Sequence, residues 1–209
     1  MTNISKLHYI TQDIPGFSHV ELAEMACKAG ADWIQLRLKN VSYEEWVKTA
    51  VETSEICKRY GAKLIINDNV AIALKAAADG VHLGKNDMNP NKAREILGKD
   101  AIIGVTANTL QEAIELSETK VDYIGLGPYK YTSTKENLSP VLGIEGIKNI
   151  TQGIKNKMPV IAIGGIKMDD VEEILAAGVH GIAVSSAINE ADNKESALLA
   201  FHRIIIGKN

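Results

Sequence analysis

Eight short apolar runs punctuate the chain, at residues 7–11, 33–38, 63–67, 80–83, 101–106, 123–127, 159–163 and 181–185. Each reads as a strand. The segments between them carry apolar residues at helical spacing; Trp46, Val47, Ala50, Val51, Ser54 and Cys57, for instance, fall on one helix face. Four helix starts resemble a capping box: Ser18 with Glu21, Ser42 with Glu45, Thr109 with Glu112, and Asp169 with Glu172. Each places a side-chain acceptor where unpaired amides begin. Asp68, taken singly, reads the same way, as the N-cap of a helix over 70–78.

A weak internal repeat supports the count. Asp32, Asp79, Asp122 and His180 each follow a helix and lead into an apolar strand, at spacings of 47, 43 and 58 residues. One strand–helix pair repeated four times fits that spacing. Strands that alternate with helices pair in parallel. Eight such units in 209 residues predict an α/β fold, a single (β/α)8 TIM barrel spanning 1–209 as one domain. A doubly wound open sheet is the fallback. No Gly-x-Gly-x-x-Gly follows the first strand, which disfavours a dinucleotide site there.

Bulk properties narrow the function. Apolar residues make up 45% and charged residues 23%, with a net charge of −3. That balance suits a soluble globular protein and disfavours nucleic acid or an anionic membrane as partner. Cys27 and Cys57 lack metal-ligand spacing, the N-terminus lacks a signal-like apolar core, and no run reaches membrane-span length. A cytoplasmic location follows as the simplest expectation. The sequence is also compatible with a homo-oligomer.

The residues able to do chemistry all fall after strands, where a TIM barrel builds its active site. Gln35, Arg37 and Lys39 alternate through the end of strand two and would point the same way. Two cations and an amide on one rim suit an anion; a solvated strand end is the equal alternative. Asp68 and Asp87, 19 positions apart, follow neighbouring strands, and Mg²⁺ commonly takes one or two carboxylates while leaving positions for phosphate and water. The run from Gly127-Pro128 through Thr132-Ser133-Thr134-Lys135 opens a long polar loop. Loops of that length are uncommon in compact domains and often serve as lids, and three hydroxyls and a lysine can donate to phosphate; taken alone, a disordered, exposed Ser/Thr-rich loop is the better reading. Ile163-Gly164-Gly165-Ile166 and Ser185-Ser186 occupy the loops that commonly bind phosphate in these barrels. His82 reads as a packed, hydrogen-bonded barrel residue, and Trp33 and Trp46 as core.

In this order the motifs resemble the thiamine-phosphate synthase family. The resemblance spans nearly the whole chain. Its strongest parts are Ile65-Ile66-Asn67-Asp68, Asp79-Gly80-Val81-His82-Leu83-Gly84, Ile103-Gly104-Val105-Thr106, and Gly127-Pro128 with Thr132-Ser133-Thr134-Lys135. It implies an alkyl-transferring enzyme that joins 4-amino-2-methyl-5-(diphosphooxymethyl)pyrimidine to a thiazole phosphate and releases pyrophosphate. Gln35, Arg37, Lys39, Asn67, Thr106 and Lys135 would then hold the pyrimidine diphosphate. Asp68 and Asp87 would ligate Mg²⁺. Thr132, Ser133, Thr134, Gly165, Ser185 and Ser186 would hold the thiazole phosphate, and Arg37, Lys39 and Lys135 would offset charge on the leaving group. Leu38, Thr106 and Tyr129-Lys130-Tyr131 depart from the family pattern. Lys130 lies outside the matched motif, so its replacement by Ala is expected to be nearly neutral. Two rivals are a thiazole tautomerase-like enzyme and a non-catalytic thiazole or thiamine phosphate-binding protein. The first would carry a histidine in the loop after strand six, where Gly127-Pro128-Tyr129 has none.

Overall fold

The computed structural model describes residues 3–132, 139–154 and 158–207. Within them eight strands close into a barrel in sequence order. They are β1 (Leu7–Ile10), β2 (Trp33–Leu36), β3 (Lys63–Asn67), β4 (Gly80–Leu83), β5 (Ile102–Ala107), β6 (Tyr123–Leu126), β7 (Val160–Ile163) and β8 (Gly181–Val184). Every neighbouring pair is parallel, β8 with β1 included. Helices α1 (His19–Lys28), α2 (Tyr43–Tyr60), α3 (Val70–Lys75), α4 (Pro90–Leu97), α5 (Leu110–Ser117), α6 (Gly143–Gly153), α7 (Val171–Ala176), α8 (Ser186–Asn189) and α9 (Lys194–Ile206) form the connections and the closing segment. This is the (β/α)8 barrel that the strand–helix alternation predicts.

Each strand divides its side chains between two cores, because successive residues face opposite ways. Outward residues such as Ile34, Leu36, Ile66, Val81, Ile103 and Leu126 pack against helix residues including Leu22, Ile72 and Ile147. Inward residues Trp33, Ile65, Ile102, Tyr123, Ile161 and Ala183 fill the barrel itself. The inward set turns polar toward the strand ends. Trp33 gives way to Gln35, Ile65 to Asn67, Ile102 to Thr106 and Ala183 to Ser185, each of which lines a cavity at the C-terminal mouth.

The barrel floor is aromatic. His8 stacks on Trp33 at 4.2 Å between ring centres, and Tyr123 meets both rings edge-on. Burial, with His82 nearby, holds His8 well below the usual imidazole range, so it sits there neutral. Room for these rings comes from glycine. A Cβ on Gly104 would stand 2.1 Å from the Tyr123 ring, and one on Gly125 would stand 2.7 Å from the His82 ring.

The fourfold repeat has a physical basis at the same N-terminal end of the barrel. Asp79 accepts the Leu64 amide and Asp122 accepts the Ile103 amide, each tying an even strand to the odd one before it. Asp32 accepts the Ser5 hydroxyl, and His180 bonds the Ile4 carbonyl. The caps follow the sequence in part. Ser18 and Glu21 form a complete capping box, and Ser42 and Thr109 cap α2 and α5. Two expectations are corrected. Asn69, not Asp68, caps α3. Asp169 does not cap α7: the cap position falls on Asp170, which makes no side-chain cap bond there and instead accepts the Lys167 amide across the 3₁₀ turn Met168–Asp170.

Candidate active site

The strand ends enclose a cavity of about 470 Å³. Gln35, Arg37, Lys39, Asn67, Asp68, Asp87, Thr106, Thr132, Gly165, Ser185 and Ser186 all line it. Every candidate among the described residues therefore converges on one mouth. Ser133, Thr134 and Lys135 lie outside the described residues.

Strand β2 ends at Leu36, two residues earlier than the apolar run suggests. The amide of Arg37 donates to the Thr11 hydroxyl rather than to a ladder carbonyl. Thr11 in turn bonds His19 Nδ1 at 2.7 Å, and His19 Nε2 bonds Asp13 at 2.9 Å. This brace, buried at Thr11 and His19 and open to solvent at Asp13, fixes the backbone from which Arg37 and Lys39 reach the cavity. Gln35 Nε2 donates to Asn67 Oδ1 at 2.8 Å, joining the β2 and β3 ends into one amide platform.

Asp68 adopts a left-handed backbone, φ +65°, a region that Asp tolerates better than most residues. Its amide donates to the His82 carbonyl. Asp87 Oδ2 accepts the Gly84 amide at 2.6 Å and holds the β4 turn closed. The donor set at these two ends is hard oxygen. Among the described residues no three His, Cys, Asp or Glu side chains form a metal cluster. Mg²⁺ suits such a set, because it usually binds one or two carboxylates and keeps its remaining positions for water and phosphate.

Under the cavity floor, His82 bonds the Tyr123 hydroxyl through Nδ1 and the Thr106 hydroxyl through Nε2, both at 3.0 Å. His82 is thus the packed, bonded residue its sequence position suggests, and it also lines the cavity. On the far side, the Ser185 hydroxyl donates to Gln12 and Asn189 Nδ2 donates to the Ser185 and Ile10 carbonyls. Gly164 and Gly165 both take positive φ, +102° and +64°, conformations that glycine adopts at no steric cost.

Sequence reasoning missed the supporting set of Thr11, His19, Gln12 and Asn189. Thr11 and His19 lie close in sequence, but Arg37 is 26 positions from Thr11 and Ser185 is 173 from Gln12, so nothing local marks them as supports. It also missed Lys85, Asn86 and Asn108, which line the cavity. Lys85 and Asn86 were accessible by their place in the same turn as Asp87. Lys85 is held by Glu112 at 2.6 Å.

A closed (β/α)8 barrel with polar and cationic groups gathered at its C-terminal mouth defines a TIM-barrel enzyme architecture. Comparison with known proteins makes the class specific. The family model for thiamine monophosphate synthase matches residues 7–188. Thiamine-phosphate synthase of Flavobacterium psychrophilum is 45% identical over 192 residues, covering 90% of this chain and 93% of its own. That of Bacteroides thetaiotaomicron is 43% identical over 190 residues, covering 90% and 91%. The thiamine phosphate pyrophosphorylase structure from Pyrococcus furiosus superposes with a TM-score of 0.85 at 36% identity, covering 96% of this chain and 95% of that one. Orotidine 5'-phosphate decarboxylase from Pyrococcus horikoshii, at 15% identity and a TM-score of 0.65, shares the barrel alone. The chain belongs to the thiamine-phosphate synthase family of transferases.

Proposed function

We propose that this cavity condenses 4-amino-2-methyl-5-(diphosphooxymethyl)pyrimidine with 4-methyl-5-(2-phosphooxyethyl)thiazole, giving thiamine phosphate and pyrophosphate. The observation that carries the reading is the convergence of Arg37, Lys39, Asp68 and Asp87 on one side of a cavity whose other strand ends offer Gly165, Ser185 and Ser186.

The diphosphate belongs with the cations. Gln35 and Asn67, already bonded to each other, present amides beside Arg37 and Lys39. Thr106 receives a hydrogen bond from His82 Nε2 when Nδ1 accepts from Tyr123, which leaves the Thr106 hydroxyl proton free to turn toward substrate. Asp68 and Asp87 are the residues that would hold Mg²⁺, whose charge offsets that of the departing diphosphate. The C–O bond breaks first and both electrons leave with the diphosphate oxygen. The aminopyrimidine ring donates electron density to the methylene cation. The thiazole nitrogen, with its phosphate held by Thr132 to Thr134, Gly165, Ser185 and Ser186, then supplies the lone pair of the new C–N bond. Arg37, Lys39 and Lys135 stabilise the charge that grows on the leaving group. Apolar Ile10, Ile163 and Ala183 at the cavity base limit water around the cation. No protein nucleophile enters. The location proposed for this chemistry is the cytoplasm; no described helix is long and apolar enough to cross a membrane.

Incubation with both substrates and Mg²⁺, followed by product analysis, tests the reading. Thiamine phosphate and pyrophosphate in equal amounts support it. Conversion of a thiazole substrate alone would favour the tautomerase-like rival. Binding without turnover would favour a phosphate-binding protein.

A further inference from the structure

We propose that Lys130 and Asp170 are positioning residues that hold the Gly164–Gly165 turn in its phosphate-receiving shape, from behind the cavity wall. The proposal rests on the reading of that turn as part of the thiazole phosphate site.

The main chain after β6 runs against the main chain after β7. The Tyr129 amide donates to the Ile163 carbonyl at 2.8 Å and the Lys130 amide to the Gly164 carbonyl at 2.9 Å. The two segments leave no space between them: a Cβ on Gly165 would stand 2.6 Å from the Tyr131 carbonyl oxygen and 2.9 Å from Lys130 Cβ. These bonds pin the beginning of the turn. Its far end is pinned by a side chain. Lys130 Nζ reaches Asp170 Oδ1 at 2.6 Å, while Asp170 Oδ2 accepts the Lys167 amide at 2.9 Å. Residue 130 therefore grips both ends of the 164–170 segment, one through its backbone and one through its ammonium.

Asp170 is buried, whereas Lys130 is half exposed. Burial alone would raise the Asp170 carboxyl, but the Lys130 ammonium and the Lys167 amide outweigh it and hold the group below the usual carboxylate range. Neither Lys130 nor Asp170 lines the cavity, so the pair acts on ligand only through the turn. An ion pair with one partner half exposed adds little to global stability. Its effect here is geometric, because two consecutive left-handed glycines have many other conformations open to them. This gives Lys130 a role that its position outside the family motif does not suggest.

Three variants test the proposal: Lys130→Met, which keeps the carbon stem; Lys130→Arg, which keeps the charge; and Asp170→Asn, which keeps an acceptor for the Lys167 amide. Hydrogen–deuterium exchange across residues 163–167 of the unliganded protein reads the turn directly. It should accelerate in Lys130→Met and Asp170→Asn and return to the wild-type rate in Lys130→Arg. In steady-state kinetics, KM for the thiazole phosphate should rise about five-fold in the first two, a size set by the loss of one half-exposed ion pair. KM for the pyrimidine diphosphate and kcat at saturation should stay near wild type. Unchanged exchange in Lys130→Met overturns the proposal whatever the activity, and so do equal rises in both KM values. Accelerated exchange in a chain whose wild type forms no thiamine phosphate would sustain the positioning role and overturn the functional reading.

Discussion

At the scale of single residues, the two aspartates are the sharpest test of the metal reading, and their surroundings decide which substitutions are informative. Asp68 stands at φ +65°; Ala there adds about 1 kcal/mol of backbone strain, whereas Asn tolerates the conformation. Asp87 carries the Gly84 amide, a bond that an Asn oxygen can keep. Asp68→Asn and Asp87→Asn should therefore each lower Mg²⁺-dependent kcat about 100-fold or more while leaving the thermal midpoint nearly unchanged. Near-normal turnover of either variant at limiting Mg²⁺ would show that the two-carboxylate site is wrong. Glu112 offers a separate check. Its partial burial would raise the carboxyl, but the Lys85 ammonium and the Asn108 and Thr109 amides outweigh that and hold it below the usual range. A carboxyl lowered on folding stabilises the protein above its unfolded pKa, and that stability is lost as pH falls through the lowered value. Glu112→Gln should cost about 0.5–1 kcal/mol at pH 7, discounted for solvent at the rim, and nothing under acid conditions where both forms are neutral. Denaturant titrations at the two pH values measure the difference. A penalty that persists in acid would mean that the acceptor geometry, not the charge, matters at Glu112.

At the scale of elements, the strands were legible because each one is a short, nearly continuous apolar run between polar segments. The ends were less so. Whether Arg37 continues the β2 ladder depends on Thr11, a residue 26 positions away whose side chain takes the Arg37 amide. Asp68 and Asn69 are both good cap residues, and only the left-handed turn at Asp68 hands the cap to Asn69. The candidate site was legible to the extent that its members sit directly after strands. Its braces, such as His19 behind Thr11 and Asn189 behind Ser185, have no local signature and emerge only when the barrel closes. Glycines within the strands show the same dependence. Gly104 reads as a weak strand residue, yet the Tyr123 ring occupies the space its side chain would need. Gly104→Ala should destabilise the protein by about 2 kcal/mol or more, at the upper end for overpacking; an unchanged denaturation midpoint would mean that the floor adapts at little cost. The loop after β6 carries its own expectation. Its described ends are drawn together by the Leu142 amide on the Pro128 carbonyl and the Gly143 amide on the Tyr129 carbonyl. Lys135→Ala should lower kcat more than it raises KM for the thiazole phosphate, because the leaving-group charge that Lys135 is proposed to meet grows toward the transition state. A defect confined to that KM would assign Lys135 to ground-state binding instead.

At the scale of the whole molecule, the barrel separates two tasks. The N-terminal end is closed by the Asp79, Asp122 and His180 clasps and by the His8, Trp33 and Tyr123 rings. The C-terminal end spends its inward positions on amides, hydroxyls and charge rather than packing. That division explains how a chain of modest size builds a polar cavity without losing its core: apolar inward residues occupy the strand starts and polar ones the ends of β2, β3, β5 and β8, while Ile10 and Ile163 keep the ends of β1 and β7 apolar. The central claim is that the two halves of the mouth hold the two halves of the reaction. A crystal structure of the protein with thiamine phosphate, pyrophosphate and Mg²⁺ tests it most directly. The account expects pyrophosphate and the metal against Asp68, Asp87, Arg37 and Lys39, with the thiamine phosphate group against Gly165, Ser185 and Ser186. Products bound with the two groups exchanged, or outside this cavity, would contradict it.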